Sequence, residues 1–159
     1  DGRVIPFFLV WKLKNEQTDE PKGERPVVEI NAYSKAKDGG KKLSANFTVR
    51  EFACKDGSDA VLTAPRLVMV LQSIRSHFAA PVVIHSAYRT PQYNAKVGGA
   101  AHSQHCFGTA ADISVRGQTP AAVAAYARQL MPDWGGVGVY AGQGFTHIDV
   151  REARADWTG

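Results

Sequence analysis

At 159 residues the chain is long enough to bury one core without staples, and one domain is the most economical reading. Apolar residues make up 44% and charged residues 21%, an ordinary globular balance, and a net charge of +4 is too mild to argue for nucleic acid as a partner. No run approaches the roughly 18 to 20 apolar residues that span a bilayer, and two cysteines make no disulfide scaffold, although Cys54 and Cys106 could form one bridge.

In chain order, VIPFFLVWKLK (4–14) and RPVVEINAYSK (25–35) read as two strands joined by the polar, turn-prone NEQTDEPKGE. Residues 1–42 are therefore expected to form an N-terminal extension, a β-hairpin, ahead of a main domain over 43–159. The run VIPFFLVW lacks the small-residue cleavage pattern of a secretory signal, so no signal peptide is expected there. KDGGKK (37–42) reads as a solvated turn. Thr63 can cap a helix whose core face is Leu67, Val70, Leu71, Ile74 and Phe78, at spacings of three and four. His77, near its end, is expected to be exposed and favoured by the helix dipole. PVVIHSA (81–87), a nearly continuous apolar run, reads as a buried strand. Thr119 and Pro120 open a second helix with Val123, Tyr126, Ala127 and Leu130 on its apolar side. GGVGVY (135–140) and FTHIDV (145–150) close the chain as a hairpin turned by AGQG. Strands and helices mix without regular alternation, which makes the expected class α+β.

The stretch HSQHCFGTAADI (102–113) holds two histidines, a cysteine and an aspartate that a hydrophobic core does not require. Strand parity puts Phe145, His147 and Asp149 on one face of FTHIDV, and turns Asp112 away from the core residues Ile113 and Val115. If those strands share a sheet, Asp112 and His147 converge and His105 reaches them from the preceding loop. Two neutral imidazoles and one carboxylate are what a catalytic zinc wants, with a fourth position open for water. Asp149 suits a supporting role, accepting a ring N–H and fixing a histidine tautomer. Each residue also has a plainer reading: a structural histidine in a strand, an aspartate at a turn, an inert thiol at Cys106. The same donors would also serve Fe(II), although the spacing and the few strands suit an iron oxygenase poorly.

Several motifs carry a resemblance. Ser103, His105, Gly108, Ala110 and Asp112 match the pattern SxHxxGxAxD, flanked by SAYRTPQYN (86–94) and VGGAAHSQH (97–105). GGVGVY, FTHIDVR and ARADW come after it in order, and REFACKDG precedes them. Over roughly residues 43–157 the chain resembles the zinc D-Ala-D-Ala carboxypeptidases and related peptidoglycan endopeptidases, the LAS-type metallopeptidases. The resemblance implies a small antiparallel sheet flanked by helices, carrying one Zn2+ held by His105, Asp112 and His147. It implies that Arg89, of the YRT motif, polarises the substrate carbonyl or binds its carboxylate, with Ser103 and Tyr88 contacting the substrate. The implied reaction is hydrolysis of an amide bond in peptidoglycan stem peptides by metal-activated water. It would be carried out by a monomer at the cell wall, encoded by a bacterium or a phage.

The chain departs from the family pattern where many members place a glutamate, three residues before the last zinc histidine. Position 144 is Gly, and VYAGQG holds neither an acid nor a histidine. His102 is the first candidate for the general acid/base, with Asp133, His85 and Glu152 weaker ones. The amino-terminal signalling domain of hedgehog proteins is similar to these peptidases, so a catalytically weak or inactive zinc-stabilised binding module is the alternative.

Overall fold

The computed structural model describes residues 28–159. The first strand of the expected N-terminal hairpin, with the run VIPFFLVW, lies outside them. Within the second lies β1 (Asn31–Ser34), which pairs antiparallel with β2 (Ala60–Thr63) in a two-stranded sheet. Between them lie a short helix α1 (Lys35–Asp38) and a 3-10 turn (Val49–Phe52). KDGGKK makes a turn with Lys37, Gly40, Lys41 and Lys42 exposed, as expected, and one residue set inward. Gly39 is buried: its N–H donates to the Lys35 carbonyl and its own carbonyl accepts from Arg50.

Helix α2 (Pro65–Phe78) buries Leu67, Val68, Val70, Leu71 and Ile74, the stripe that the spacing predicts plus one neighbour, with Phe78 half-buried at its end. Thr63 does not cap it. Thr63 closes β2, Ala64 holds the cap position, and Pro65 starts the helix with the φ that proline supplies. His77 is exposed as expected, and its ring stacks on Tyr126 with centroids 3.7 Å apart. A short helix α3 (Pro91–Lys96) leads into the loop before His105. Helix α4 (Pro120–Leu130) is capped by Thr119, whose hydroxyl accepts from the Ala122 N–H at 3.1 Å.

The main sheet has five strands in the order β3 (Val82–Ser86), β4 (Ala110–Val115), β6 (Phe145–Asp149), β5 (Gly136–Tyr140), β7 (Ala155–Thr158). It is antiparallel except at one edge, where β7 runs parallel to β5, so the chain does not finish at the β5–β6 hairpin. The molecule is α+β. Helices α2 and α4 cover one face of the sheet, where Ala111, Ile113, Val115, Ile148 and Val150 join the core. Among the described residues no helix is long and apolar enough to cross a membrane.

β3 is not the fully buried strand that its apolar run suggests. It is an edge strand with only one face covered: Val82 and Ile84 pack on the core, while Val83 is 52% exposed and His85 is exposed. The pairing with β4 jumps from Ile84–Ile113 to Ser86–Asp112, so His85 is the extra residue of a bulge. A bulge re-aims the residues after it. Strict alternation would put Ser86 with Ile84 on the core side; the bulge pairs it with Asp112, on the opposite face.

Candidate metal centre

One transverse row crosses all five strands: Ser86, Asp112, His147, Gly138 and Trp157 are successive cross-strand partners. Asp112 and His147 are therefore direct neighbours on β4 and β6, on the face that the helices leave open. His105 arrives from a 3-10 turn (Gln104–Phe107) whose first residues are tied by the Ser103 hydroxyl, accepting from the His105 N–H at 3.3 Å. Donor atoms of His105, Asp112 and His147 lie within 4.8 Å of one another, and all three residues are buried.

The outer nitrogens fix the chemistry of the inner ones. His105 Nδ1 lies 2.7 Å from the Ala87 carbonyl oxygen, which can only accept, so this nitrogen carries the proton. His147 Nε2 lies 2.9 Å from Asp149 Oδ2 and donates in the same way. With both rings neutral, His105 Nε2 and His147 Nδ1 present lone pairs towards Asp112, at 3.3 and 2.9 Å from its oxygens. Lone pairs and a carboxylate converging on one point repel each other unless a cation or a proton lies between them. The donor set thus fits a metal ion, and two imidazoles with one carboxylate leave a position free on it.

In the metal-free fold a proton can take that place. Burial pushes the Asp112 carboxyl up, but hydrogen bonds from His105 and His147 outweigh it and hold the group below the ordinary carboxylate range. Burial lowers the His147 pKa, yet Asp112 and Asp149 raise it further, so the metal-free ring keeps a proton more readily than a free histidine. Asp149 is fully buried, and its carboxyl too is held low by His147 and Arg151 against the opposing effect of burial. Its Oδ1 accepts from the Gly136 and Arg151 backbone N–H groups, both at 3.1 Å. Room for that carboxylate comes from Gly136, where an added Cβ would lie 2.2 Å from Asp149 Oδ2.

Arg89 is joined to the donor set by the bulge. Its Nε donates to Ser86 Oγ at 2.9 Å and its Nη2 to Asp112 Oδ2 at 3.2 Å. The whole group floors an open cleft of about 500 Å³. One wall is the loop from Gly98 to Gln104, with Ser103 and the exposed His102. The other wall is Tyr140, Phe145, Trp157 and Arg151.

Other residues singled out by sequence lie elsewhere. Tyr88 is buried outside the cleft lining; burial raises the pKa of its hydroxyl, and its N–H donates to the Phe52 carbonyl. His85 faces solvent and bonds Ser114 Oγ at 2.8 Å, and the exposed Asp133 and Glu152 do not line the cleft. Cys54 and Cys106 are free thiols rather than a bridge; burial raises the Cys106 thiol despite the neighbouring Arg89.

Sequence reading misses the second wall. Tyr140 and Phe145 stack with centroids 4.5 Å apart, and Trp157 donates its indole N–H to the Tyr140 hydroxyl at 2.9 Å. Parity does put Phe145 beside His147, which is a partial signal. Trp157 carries none, because its place depends on the parallel pairing of β7. Gly138, between His147 and Trp157 in the row, lets the two rings approach to 5.0 Å; a Cβ there would meet the indole at 2.5 Å.

Fold and donor set together define the class: an α+β protein whose open sheet face carries, in a cleft, a donor set able to hold a metal ion. The chain matches the Peptidase M15 family model over residues 42–149, and it belongs to that family of metal-dependent peptidases. No curated protein matches the chain.

Proposed function

We propose that the protein is a zinc-dependent peptidase that hydrolyses an amide bond in peptidoglycan stem peptides, as a D,D-carboxypeptidase or an endopeptidase. The observation that carries this reading is the convergence of two inward lone pairs on the Asp112 carboxylate, in a chain of a metal-dependent peptidase family. His105, Asp112 and His147 are the proposed ligands. Bound there, zinc supplies Lewis acidity and a water acidified towards a pKa of about 7. Asp149 keeps His147 in the tautomer that coordinates, by accepting its Nε2 proton.

Arg89 takes the charge that builds on the carbonyl oxygen. Its fork is already fixed by Ser86 and Asp112, so little reorganisation is needed as that charge develops. Ser103 holds the turn that carries His105 and offers its hydroxyl on the same wall to the peptide backbone. His102 is the proposed proton carrier: among the described residues lining the cleft it is the one imidazole outside the donor set. The proposed site of action is the cell wall, with the protein working as a monomer.

The test is digestion of cross-linked muropeptides by zinc-loaded protein, followed by mass spectrometry, beside Arg89→Ala. Cleavage by the wild type, lost in the variant with zinc still bound, supports the reading. Zinc bound without hydrolysis would leave a metal-stabilised binding module instead.

A further inference from the structure

We propose that Arg151, laid against Trp157, is a carboxylate-binding subsite that selects substrates bearing a free carboxylate within a few residues of the bond to be cut. This rests on the peptidase reading and adds a specificity determinant to it.

The transverse row ends at Ser86 on one side and at Trp157 on the other. Ser86 and Trp157 are four strand spacings apart, roughly 19 Å at about 4.8 Å per spacing. Arg89 is anchored near the first end and Arg151 near the second, with the donor set between them. Arg89 is the more buried, its side chain 16% exposed and bonded to Asp112. Arg151 is 33% exposed at its side chain and lines the cleft.

Arg151 is held on two sides. Its Nε and Nη2 donate to the two oxygens of Asp149, and its guanidinium lies 5.4 Å from the Trp157 ring centre. Among the described residues nothing accepts from Nη1. Arg151 lines the cleft as well as clamping Asp149, which a purely structural clamp would not need to do. A guanidinium already fixed by a carboxylate and an indole loses little freedom on binding, which favours affinity for a planar anion.

Charge points the same way. Arg89, Arg151 and a divalent ion outweigh Asp112 and Asp149, so the loaded cleft is cationic and attracts anions. Arg151 and His147 bond the same oxygen of Asp149, so the guanidinium stands close to the donor set. One extended residue spans about 3.3–3.6 Å, and Arg151 lies beyond the outer nitrogen of His147, so a carboxylate reaching its guanidinium belongs to a residue within a few positions of the scissile bond. Two sources share this chemistry: the α-carboxylate of a terminal residue, or a side-chain carboxylate of an adjacent one.

The experiment uses one acylated stem pentapeptide in three forms: unmodified, amidated at its C-terminus, and amidated at its side-chain carboxylates. Binding to metal-free full-length protein, where no turnover intrudes, is followed by NMR at the Trp157 indole N–H. Steady-state kinetics of the zinc-loaded protein come next. The expected result is that one amidation weakens binding by about tenfold or more, as loss of a charge-assisted bond requires. Which amidation does so identifies the source. Arg151→Gln should erase the preference, raising KM for the unmodified peptide to that of the amide when variant and wild type are both saturated with zinc. Arg151→Lys, which keeps the charge and loses the fork, should retain part of it. Equal binding of all three forms by the wild type overturns the proposal, as does a preference that survives in Arg151→Gln. A binding preference without hydrolysis by zinc-loaded wild type would sink the peptidase reading and leave the subsite standing.

Discussion

The two ends of the cleft are built by different means. At the β3 end, a bulge at His85 brings Ser86 onto the open face, and Ser86 and Asp112 fix Arg89 beside the donor set. At the β7 end, a glycine-lined β5 leaves the sheet surface low. The Asp149 carboxylate and the Trp157 indole then fill the space that side chains at 136 and 138 would occupy. One end adds a residue to a strand; the other removes side chains from one. Both place a guanidinium, but Arg89 contacts a carboxylate of the proposed ligand set directly, while Arg151 reaches the centre only through Asp149. The β3 end should therefore govern turnover, and the β7 end should govern metal affinity, stability and substrate preference.

Variants can break that division, and the largest effect belongs to the centre that both ends share. His147→Ala should abolish metal binding, leaving near-zero zinc per chain by mass spectrometry against one in the wild type. Retention of zinc would separate the two halves of the proposed ligand set. At the β3 end, Arg89→Ala should lower kcat by about 10²- to 10³-fold with zinc content unchanged, the usual loss when a charge-stabilising donor is removed. At the other end, Asp149→Asn should weaken zinc binding by about 10- to 100-fold in a chelator competition, since the support of His147 is altered.

A smaller effect comes from pH. His147 has a raised pKa in the metal-free fold, so its proton stabilises that fold below the ordinary value of 6.5, and the contribution is lost as pH rises through the folded pKa. Zinc needs the neutral ring, so the metal competes with that proton. Zinc affinity should fall by up to about tenfold per pH unit on the acid side of the folded pKa, with proton release on binding, both measurable by calorimetry in buffers of different ionisation enthalpy. An affinity flat across that range would mean that His147 is not a ligand. Gly138→Ala should have the smallest effect, costing about 1–3 kcal/mol of stability as the Trp157 ring shifts, seen as a lower Tm. An unchanged Tm would show that the indole moves without resistance.

Local pattern carried much of this protein. The 3.6-residue spacing from Leu67 to Ile74 and the Thr119–Pro120 start gave the two core helices, and alternation in FTHIDV and ADISV gave the faces of His147, Asp149 and Asp112. These are legible in the sequence because helix and strand periods are properties of a single segment. Tertiary structure decided the rest. The bulge at His85 resets the parity that an apolar run implies, and Thr63 ends a strand rather than capping a helix because Asn31 of β1 pairs with it from far along the chain. Tyr88, adjacent to Arg89 in sequence, is buried away from the cleft. Trp157 joins Arg151 in a wall only through the parallel pairing of β7 with β5. The physical reason is common to all of these: register between distant segments is set by which side chains can share one surface, and no single segment contains that information.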